Sequence, residues 1–292
     1  MKSIIGHKTA KKTLINNTNI NSWLIYGKRG IGKATLLHAF AKHLTQHTNL
    51  ETHPDVMIIN KGDEPIGIDV IRKMKQFLNL SSILSNHKIA IIDSIDDLTI
   101  NAMNAMLKIL EEPPNNSIML LISHNLYNIP VTIRSRCFII HLHDLSYDET
   151  EQVISINFPG IQLSNEIIYL YLGTPGMVTN NINDEINLYY NLIAVINNKN
   201  LNLINDIIET TVPLHKIEHI LLTIISEIIK KTIGITTELN TKLLNLPTQQ
   251  NISSLLNGYS KIQNIISTSK NMYLEKKAIM INVINIITNI IS

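Results

Sequence analysis

A glycine-rich segment that ends in a lysine is the part of this sequence with the clearest chemical meaning. It reads Gly27-Lys28-Arg29-Gly30-Ile31-Gly32-Lys33, and it lies between an apolar run at 23–26 and a helix-like segment that starts at Ala34. Strand, loop and helix in this order are the context of a phosphate-binding loop, in which backbone N–H groups and the lysine converge on phosphate oxygens. The residues that we expect to contact a nucleotide here are Gly27, Gly30, Gly32, Lys33 and Thr35.

Two positions next to this loop lack the residues that hydrolysis needs. The residue after the lysine is normally Ser or Thr, whose hydroxyl holds Mg²⁺, and here it is Ala34. The run 88–92 predicts a buried parallel strand that ends in Asp93, a carboxylate in the position that supports Mg²⁺. In hydrolysing enzymes a Glu can follow, whereas Ser94 cannot accept a proton near neutral pH. Unless Asp93 merely caps a strand, the sequence predicts a nucleotide cradle that has lost hydrolysis.

The composition excludes several classes of protein. A chain of 292 residues with a formal net charge of +2 is long enough for two or three domains, and it offers nucleic acid a local patch but no strong overall field. Its single cysteine, Cys137, excludes an internal disulfide framework and a four-cysteine zinc module. There is no secretory segment and no run of about 18 apolar residues, so we expect a soluble, cytoplasmic protein without membrane contact.

Three histidines leave a metal site as a second interpretation of the segment 43–53. His43 and His47 are one helical turn apart, and His53 follows a short connection. A closed zinc site needs four ligands, and no fourth one is evident. We therefore expect surface histidines and no structural zinc.

Alternating strand-like and helix-like segments predict a mainly parallel, doubly wound α/β sheet up to about residue 145. Strands are predicted at 23–26, 56–59, 89–93, 117–123 and 138–142, and helices at 34–47, 68–79 and 99–111. The last of these helices has Thr99 as its N-cap and ends before Pro113. Its apolar stripe, which we interpret as core, consists of Ile100, Met103, Met106, Leu107 and Leu110.

From residue 146 onward the pattern is helical. Short helices are predicted at 148–157 and 164–172, followed by a tight turn, Gly173-Thr174-Pro175-Gly176. Longer helices are predicted at 215–232 and 272–291, and the clearest break is Leu246-Pro247-Thr248. The predicted fold class is therefore α/β followed by all-α.

Several motifs in a fixed order resemble one family. Besides the glycine-rich loop they are Ile5-Gly6-His7, His53-Pro54-Asp55-Val56, the segment from Asp93 to Pro114, and Ile129-Pro130-Val131-Thr132-Ile133-Arg134-Ser135-Arg136-Cys137. On these motifs, which extend over about half of the chain, the sequence resembles the bacterial DNA polymerase III clamp-loader subunits, which are AAA+ proteins, and most closely the delta-prime branch. The most specific signal is the triplet Ser135-Arg136-Cys137.

The resemblance implies three domains: an AAA+ nucleotide-binding-like domain (1–145), a small helical lid (146–196) and a helical collar used for oligomerisation (197–292). It also implies a five-subunit ring whose partners are motor subunits of the gamma/tau type, a delta-like subunit, the sliding clamp and primed-template DNA. In such a ring Arg136 matches an arginine that reaches the ATP of a neighbouring subunit, and Ser123 matches a polar residue near the γ-phosphate. A guanidinium suits that role because it offers planar, permanently charged donors to phosphate. Arg136 could otherwise be an ordinary surface arginine, and Arg134 is expected to be solvated.

Departures from the family pattern indicate the kind of subunit. Ala34 and Ser94 replace the hydroxyl residue and the Glu of the motor subunits, and the turn 173–177 has no nucleotide-sensing arginine. We expect a largely non-hydrolysing, delta-prime-like subunit that donates Arg136 in trans. ATP or ADP bound without hydrolysis is the candidate cofactor, and the sequence leaves open whether it binds. The alternatives are a motor-type clamp-loader ATPase, another AAA+ replication or repair factor, and an inert nucleotide-binding remnant.

Overall fold

The computed structural model describes residues 4–60, 62, 64–161, 163–179, 181–198, 201–237, 251–272 and 276–291. The chain forms two compact units, Met1–Ile161 with Tyr171–Met177, and Gln162–Leu170 with Val178–Ser292. The first unit is α/β and the second is helical, as the sequence predicts. This division leaves residues 146–161 with the sheet, beyond the predicted boundary at 145/146, and the division into three domains stays a prediction.

A parallel sheet forms the centre of the first unit. Its strands are β1 (Ser22–Tyr26), β2 (Val56–Asn60), β3 (Lys88–Asp93), β4 (Ser117–Ser123) and β5 (Phe138–His141). Within the described residues these five strands form one sheet in the order β2-β3-β4-β1-β5, and each neighbouring pair is parallel. The predicted strands agree with these bounds within one residue. Continuous apolar runs signal them well because both faces of such a sheet are covered by helices.

The helices of the first unit are α1 (Lys8–Asn16), α2 (Lys33–Thr45), α3 (Ile68–Leu78), α4 (Ile100–Glu111), α5 (Val131–Arg134) and α6 (Tyr147–Asn157). Two of their starts are fixed by side-chain caps. The Thr99 hydroxyl accepts a hydrogen bond from the Ala102 N–H at 3.2 Å, as predicted for the start of α4. At the start of α6, Ser146 and Glu149 form a reciprocal capping box.

Two apolar layers cover the two faces of the sheet. Trp23 and Ile25 pack into the layer that contains α1 and α2, whereas Leu24 packs into the layer of α3, α4 and α5. Successive strand residues point to opposite faces, so one short strand contributes to both layers. The sheet is thereby fixed from both sides, and the loops at its carboxyl edge have a rigid base.

The apolar stripe predicted on α4 is wrong at one end. Met106 and Leu110 are buried, but Ile100 is 78% exposed. Side chains on a helix lean toward its N-terminus, so a residue in the first turn projects beyond the part of the helix that the sheet covers. Its place in the buried face is taken by Ala102 and Ile109.

The second unit contains α7 (Asn165–Leu170), α8 (Ile182–Asn198), α9 (Ile204–Ile208), α10 (Leu214–Thr232), α11 (Ile252–Met272) and α12 (Lys276–Ile291). Met272 ends α11, so the helix predicted at 272–291 begins later than expected. A buried ion pair joins α8 to α10, with Lys216 Nζ 3.1 Å from Glu185 Oε1. The break predicted at Leu246-Pro247-Thr248 lies outside the described residues. Among the helices described, none has the length and apolar character needed to cross a membrane.

Candidate functional site

The glycine-rich loop leaves the carboxyl end of β1 and enters the N-terminus of α2. Because β1 lies between β4 and β5, the loop is at the point where the strand order switches, which is the usual ligand crevice of such sheets. The first N–H groups of α2 have no partner within the helix and point toward this crevice. Gly30 and Gly32 have φ angles of 74° and 101°, which a residue with a side chain rarely adopts. The segment therefore has the geometry predicted for a phosphate loop.

A cavity of about 390 Å³ lies over this loop, and its lining has a polar part and an apolar part. The polar part includes Gly30, Gly32, Lys33, Ala34, Thr35 and Asp93. The apolar part includes Ile4, Ile5, Leu145, Val153 and Ile156. A nucleotide has the same division between a flat, largely apolar base and a charged phosphate chain, so the lining residues fit this class of ligand. The sequence motifs did not indicate the apolar part of the lining, because its residues come from three separate segments.

Lys33 is buried and folded back onto its own loop. Its Nζ donates to the carbonyl oxygens of Gly27 and Lys28, both at 2.7 Å. Burial lowers the pKa of Lys33 to about 8, although the nearby Asp93 and Asp96 favour its charged form. The lysine is thus a partly desolvated cation, held where an anion would be its natural partner.

Two further contacts hold the loop from outside. His7 Nε2 donates to the carbonyl of Ile31 at 2.9 Å, and the Gly176 N–H donates to the carbonyl of Gly30 at 2.9 Å. A Cβ on Gly30 would lie 2.6 Å from Met177 Cγ, so the turn 173–177 packs directly on the loop. This turn has no arginine that could sense a nucleotide, and it contacts the loop through its backbone.

The positions that hydrolysis requires are occupied by groups with other contacts. Ala34 lines the cavity and has no hydroxyl to offer a metal ion. The Ser94 side chain is buried and donates to Asp97 Oδ2 at 3.1 Å. Asp93 lines the cavity, and burial raises the pKa of its carboxyl while Lys33 opposes the shift. The carboxylate that would support Mg²⁺ is therefore present at Asp93, but the hydroxyl expected directly after Lys33 is absent.

Ser123 lies at the end of β4, as predicted, but it does not line the cavity. It is fully buried, its Oγ donates to Asp96 Oδ1 at 3.2 Å, and it accepts from the Asn125 N–H at 3.1 Å. Its neighbour His124 lines the cavity instead, and the His124 N–H donates to Asp96 Oδ2 at 2.7 Å. Sequence reasoning missed both His124 and Asp96. The acidic pair Asp96-Asp97 after β3 can be seen in the sequence, but no local pattern shows that Asp96 holds the end of β4.

Arg136 lies between α5 and β5 and is partly exposed. Its Nη2 donates to Glu111 Oε1 at 2.7 Å, and its Nη1 donates to the Thr132 carbonyl at 2.8 Å and to Ser135 Oγ at 3.3 Å. Arg134, which was expected to be solvated, is partly exposed, and its Nε is enclosed. It is the last residue of α5, a single turn, and Arg136 lies beyond the end of that turn.

The histidines of the segment 43–53 do not all lie on the surface. His43 and His47 are exposed, but His53 is buried and its Nδ1 accepts from the Asp55 N–H at 3.1 Å. Within the part of the chain that the structure describes, no group of three or more His, Cys, Asp or Glu residues is placed to hold a metal ion. Burial also raises the pKa of the Cys137 thiol to about 12, which disfavours the thiolate that metals bind.

A second concave surface is a groove of about 410 Å³ between α3 and α4. Its cationic lining residues are Arg72, Lys75 and Lys108, and the amides of Asn101 and Asn104 lie beside them. Arg72 also pairs with Asp69 at 2.9 Å, where both side chains are largely exposed. Cations together with amide groups are suited to contact phosphate oxygens.

Comparison with known proteins is consistent with this site. Residues 6–146 match a family model described as "DNA polymerase III, delta subunit". The delta′ subunit of Pseudomonas aeruginosa is 31% identical over 135 residues, which cover 40% of this chain and 41% of that protein. The predicted resemblance to the clamp-loader family is confirmed. The matched segment lies in the first unit and includes the phosphate loop, Asp93 and Arg136.

A gamma subunit is similar to about the same degree. The gamma subunit of Buchnera aphidicola from Acyrthosiphon pisum is 30% identical over 167 residues, which cover 51% of this chain and 46% of that protein. These matches span less than half the length of either relative. A solved gamma subunit-related protein of Thermotoga maritima superposes with a TM-score of 0.56 at 19% identity, over 98% of this chain and 99% of that one. The predicted AAA+ fold with a helical C-terminal region is confirmed.

Proposed function

We propose that this chain is a delta-prime-like clamp-loader subunit that does not hydrolyse ATP and donates Arg136 to the ATP site of a neighbouring motor subunit. The observation that supports it best is the state of the two hydrolytic positions. Ala34 lines the cavity without a hydroxyl, and the Ser94 hydroxyl is buried against Asp97. Phosphoryl transfer depends on positioning and charge stabilisation, so a site without these groups lacks most of what accelerates it.

The same site retains what nucleotide binding needs. The loop, the N-terminus of α2 and Lys33 supply the positive environment for phosphates, and the apolar residues of the lining suit a base. We propose that it binds ATP or ADP as a structural ligand and that the chain holds no zinc. When bound, the nucleotide would supply charge at the loop. The protein residues would orient it and keep water from the base.

Partners follow from the family. We propose assembly with motor subunits and a delta-like subunit into a ring that places the sliding clamp on primed-template DNA. The groove between α3 and α4 supports contact with DNA, because Arg72, Lys75 and Lys108 offer three cations on one concave surface. The net charge of +2 gives no general attraction, so a local patch of this kind would have to carry the contact.

A motor-type ATPase is the second candidate, because the gamma subunit of Buchnera aphidicola is as similar as the delta′ relative. The two functions differ in one measurable property, which is hydrolysis by the pure chain. We expect no ATP hydrolysis above a buffer control and saturable binding of labelled ADP to the isolated protein. Omitting Mg²⁺ should change the affinity little, since the site lacks the hydroxyl ligand next to Asp93.

The matched control is Lys33→Ala, which should abolish nucleotide binding. Ser94→Glu should not restore hydrolysis, because Ala34 still cannot hold the metal ion. Turnover by the unmodified chain that Lys33→Ala removes would favour the motor-type function. Absence of both binding and hydrolysis would leave a scaffold that acts through Arg136 alone.

A further inference from the structure

The guanidinium of Arg136 is held by three contacts before any partner is present. Glu111 accepts from Nη2, while the Thr132 carbonyl and the Ser135 hydroxyl accept from Nη1. A guanidinium has five N–H donors. These contacts therefore leave the Nε–H and the second N–H of Nη2 for another acceptor. The side chain is ordered and still able to donate.

We propose that Glu111 is a positioning residue for Arg136, which it holds in the orientation that reaches a neighbour's phosphate. This inference rests on the proposed trans-acting role of Arg136. It adds a residue of the same chain, Glu111, that orients the arginine for that role. No sequence motif indicates the pair of Glu111 and Arg136.

The place of Glu111 in the fold suits this task. It is the last residue of α4, and Met106 and Leu110 anchor that end of the helix in the core. The carboxylate is therefore attached to a fixed element, whereas Arg136 follows a single helical turn. A carboxylate at a helix C-terminus is unfavourable toward the helix dipole, so the guanidinium compensates for the charge that it contacts.

The exposure of the pair argues against a role in stability. The side chains of Arg136 and Glu111 are 34% and 49% exposed. Pairs with this much access to water contribute little to folding, because water and salt screen them. Their benefit is that a long, flexible side chain is ordered in advance, so that less freedom is lost when it meets phosphate.

Loss of Glu111 should therefore lower the rate of the neighbour's reaction and leave its substrate binding unchanged. In the complete reconstituted clamp loader with clamp and primed DNA, we expect Glu111→Ala to lower kcat for ATP hydrolysis about two- to five-fold, which corresponds to the free energy that an exposed ion pair of this kind contributes. KM for ATP should not change. Glu111→Gln keeps an oxygen acceptor, so its kcat should lie between those of the unmodified chain and Glu111→Ala.

The matched control is Glu112→Ala, at the neighbouring exposed glutamate, which should behave as the unmodified chain. The same substitutions combined with Arg136→Ala test whether Glu111 acts through Arg136. If Glu111 acts through Arg136, then Glu111→Ala has no further effect there. The positioning role is overturned if Glu111→Ala lowers kcat equally in the Arg136→Ala protein. It is also overturned if Glu111→Ala does not lower kcat when Arg136 is present. If Arg136→Ala itself leaves kcat unchanged, the trans-acting role fails, and the inference fails with it.

A second measurement needs no partner subunit. The heteronuclear NOE at Arg136 Nε reports its motion in the isolated full chain. We expect a restrained value in the unmodified protein and in Glu112→Ala, and a lower value in Glu111→Ala. Equal values in all three would show that Glu111 does not order the arginine, whatever the role of Arg136 in the ring.

Discussion

Lys33 shows how burial changes the protonation of a single residue. Its ammonium group is buried with two carbonyl partners, and burial lowers its pKa to about 8. An unfolded lysine has a pKa near 10.4. Between these two values the unfolded chain binds more protons than the folded chain, so stability rises with pH in that window.

This gives a prediction that does not depend on any ligand. Replacing Lys33 with Met removes the titrating group. The unfolding free energy of the unmodified protein, relative to that of the variant, should therefore rise by about 2 kcal/mol between pH 7 and pH 9.5. The measurement is a urea unfolding curve for each protein at both pH values. Lys42→Met, at an exposed position of α2, is the control and should show no such gain. A constant difference for Lys33→Met would contradict the burial effect.

At this scale the sequence predicted residue types better than residue contacts. Gly30, Gly32, Lys33 and Asp93 line one cavity, whereas Gly27 does not line it, and their role in binding nucleotide stays a prediction. Ser123 is at the predicted strand end, but its contact with Asp96 joins residues 27 positions apart. The pair of Arg136 with Glu111 spans 25 positions. Contacts of this length leave no periodic signal in the chain.

Asp55 organises the connection between α3 and β3. Its carboxylate is fully buried and accepts from the N–H groups of Ile83, Leu84 and Ser85 at 2.7–2.8 Å. Lys88 Nζ lies 3.0 Å from Asp55 Oδ1 and is buried as well. Burial alone would raise the pKa of Asp55, but these hydrogen bonds together hold it well below its usual range. One side chain thus fixes a loop and neutralises a buried cation.

We expect Asp55→Asn to lower the unfolding free energy by about 3–5 kcal/mol, because it leaves Lys88 as an unpaired buried charge. The amide also turns an N–H toward backbone donors. Asp69→Asn is the matched control, since it breaks an exposed pair with Arg72 and should cost less than about 1 kcal/mol. Chemical unfolding of the three proteins at pH 7 tests this. Similar midpoints for both variants would show that the Asp55 cluster is not what holds this connection.

At the scale of elements, strands were predicted more accurately than helix faces. A buried parallel strand is a short apolar run whose ends coincide with the ends of the run. The face of α4 was harder, because Ile100 has the periodicity of a core residue and yet projects past the covered part of the helix. His53 was expected on the surface because no fourth metal ligand is evident near it, whereas its contact with the backbone of Asp55 is a feature of the folded connection.

For the whole molecule, the first unit contains the cavity over the glycine-rich loop and Arg136 on different segments. The cavity is enclosed by the loop, the end of β3 and α6, and Arg136 does not line it. An arginine outside the cavity of its own chain is consistent with action on a neighbour. The predicted role therefore needs the assembled ring, and only an experiment on that ring can test it.

We expect Arg136→Ala to leave the fold and ring assembly intact and to lower clamp-stimulated ATP hydrolysis and clamp loading by the reconstituted complex. An arginine supplied in trans is worth about 10³–10⁵ in rate at a single site of well-studied P-loop enzymes. The loss for the whole ring should be smaller, because the other ATP sites do not receive Arg136. Arg136→Lys should rescue poorly, since a point charge cannot reproduce the planar fork of donors.

The control at the neighbouring arginine separates loss of a donor from loss of structure. Arg134→Ala removes a half-buried side chain, so its effect should appear in the melting temperature of the isolated chain more than in the rate of the ring. Arg136 is more exposed, so Arg136→Ala should change the rate of the ring more than the melting temperature of the isolated chain. A ring that contains Arg136→Ala and loads clamps at the unmodified rate would remove the trans-acting role, and this chain would then serve the ring through its packing surfaces alone.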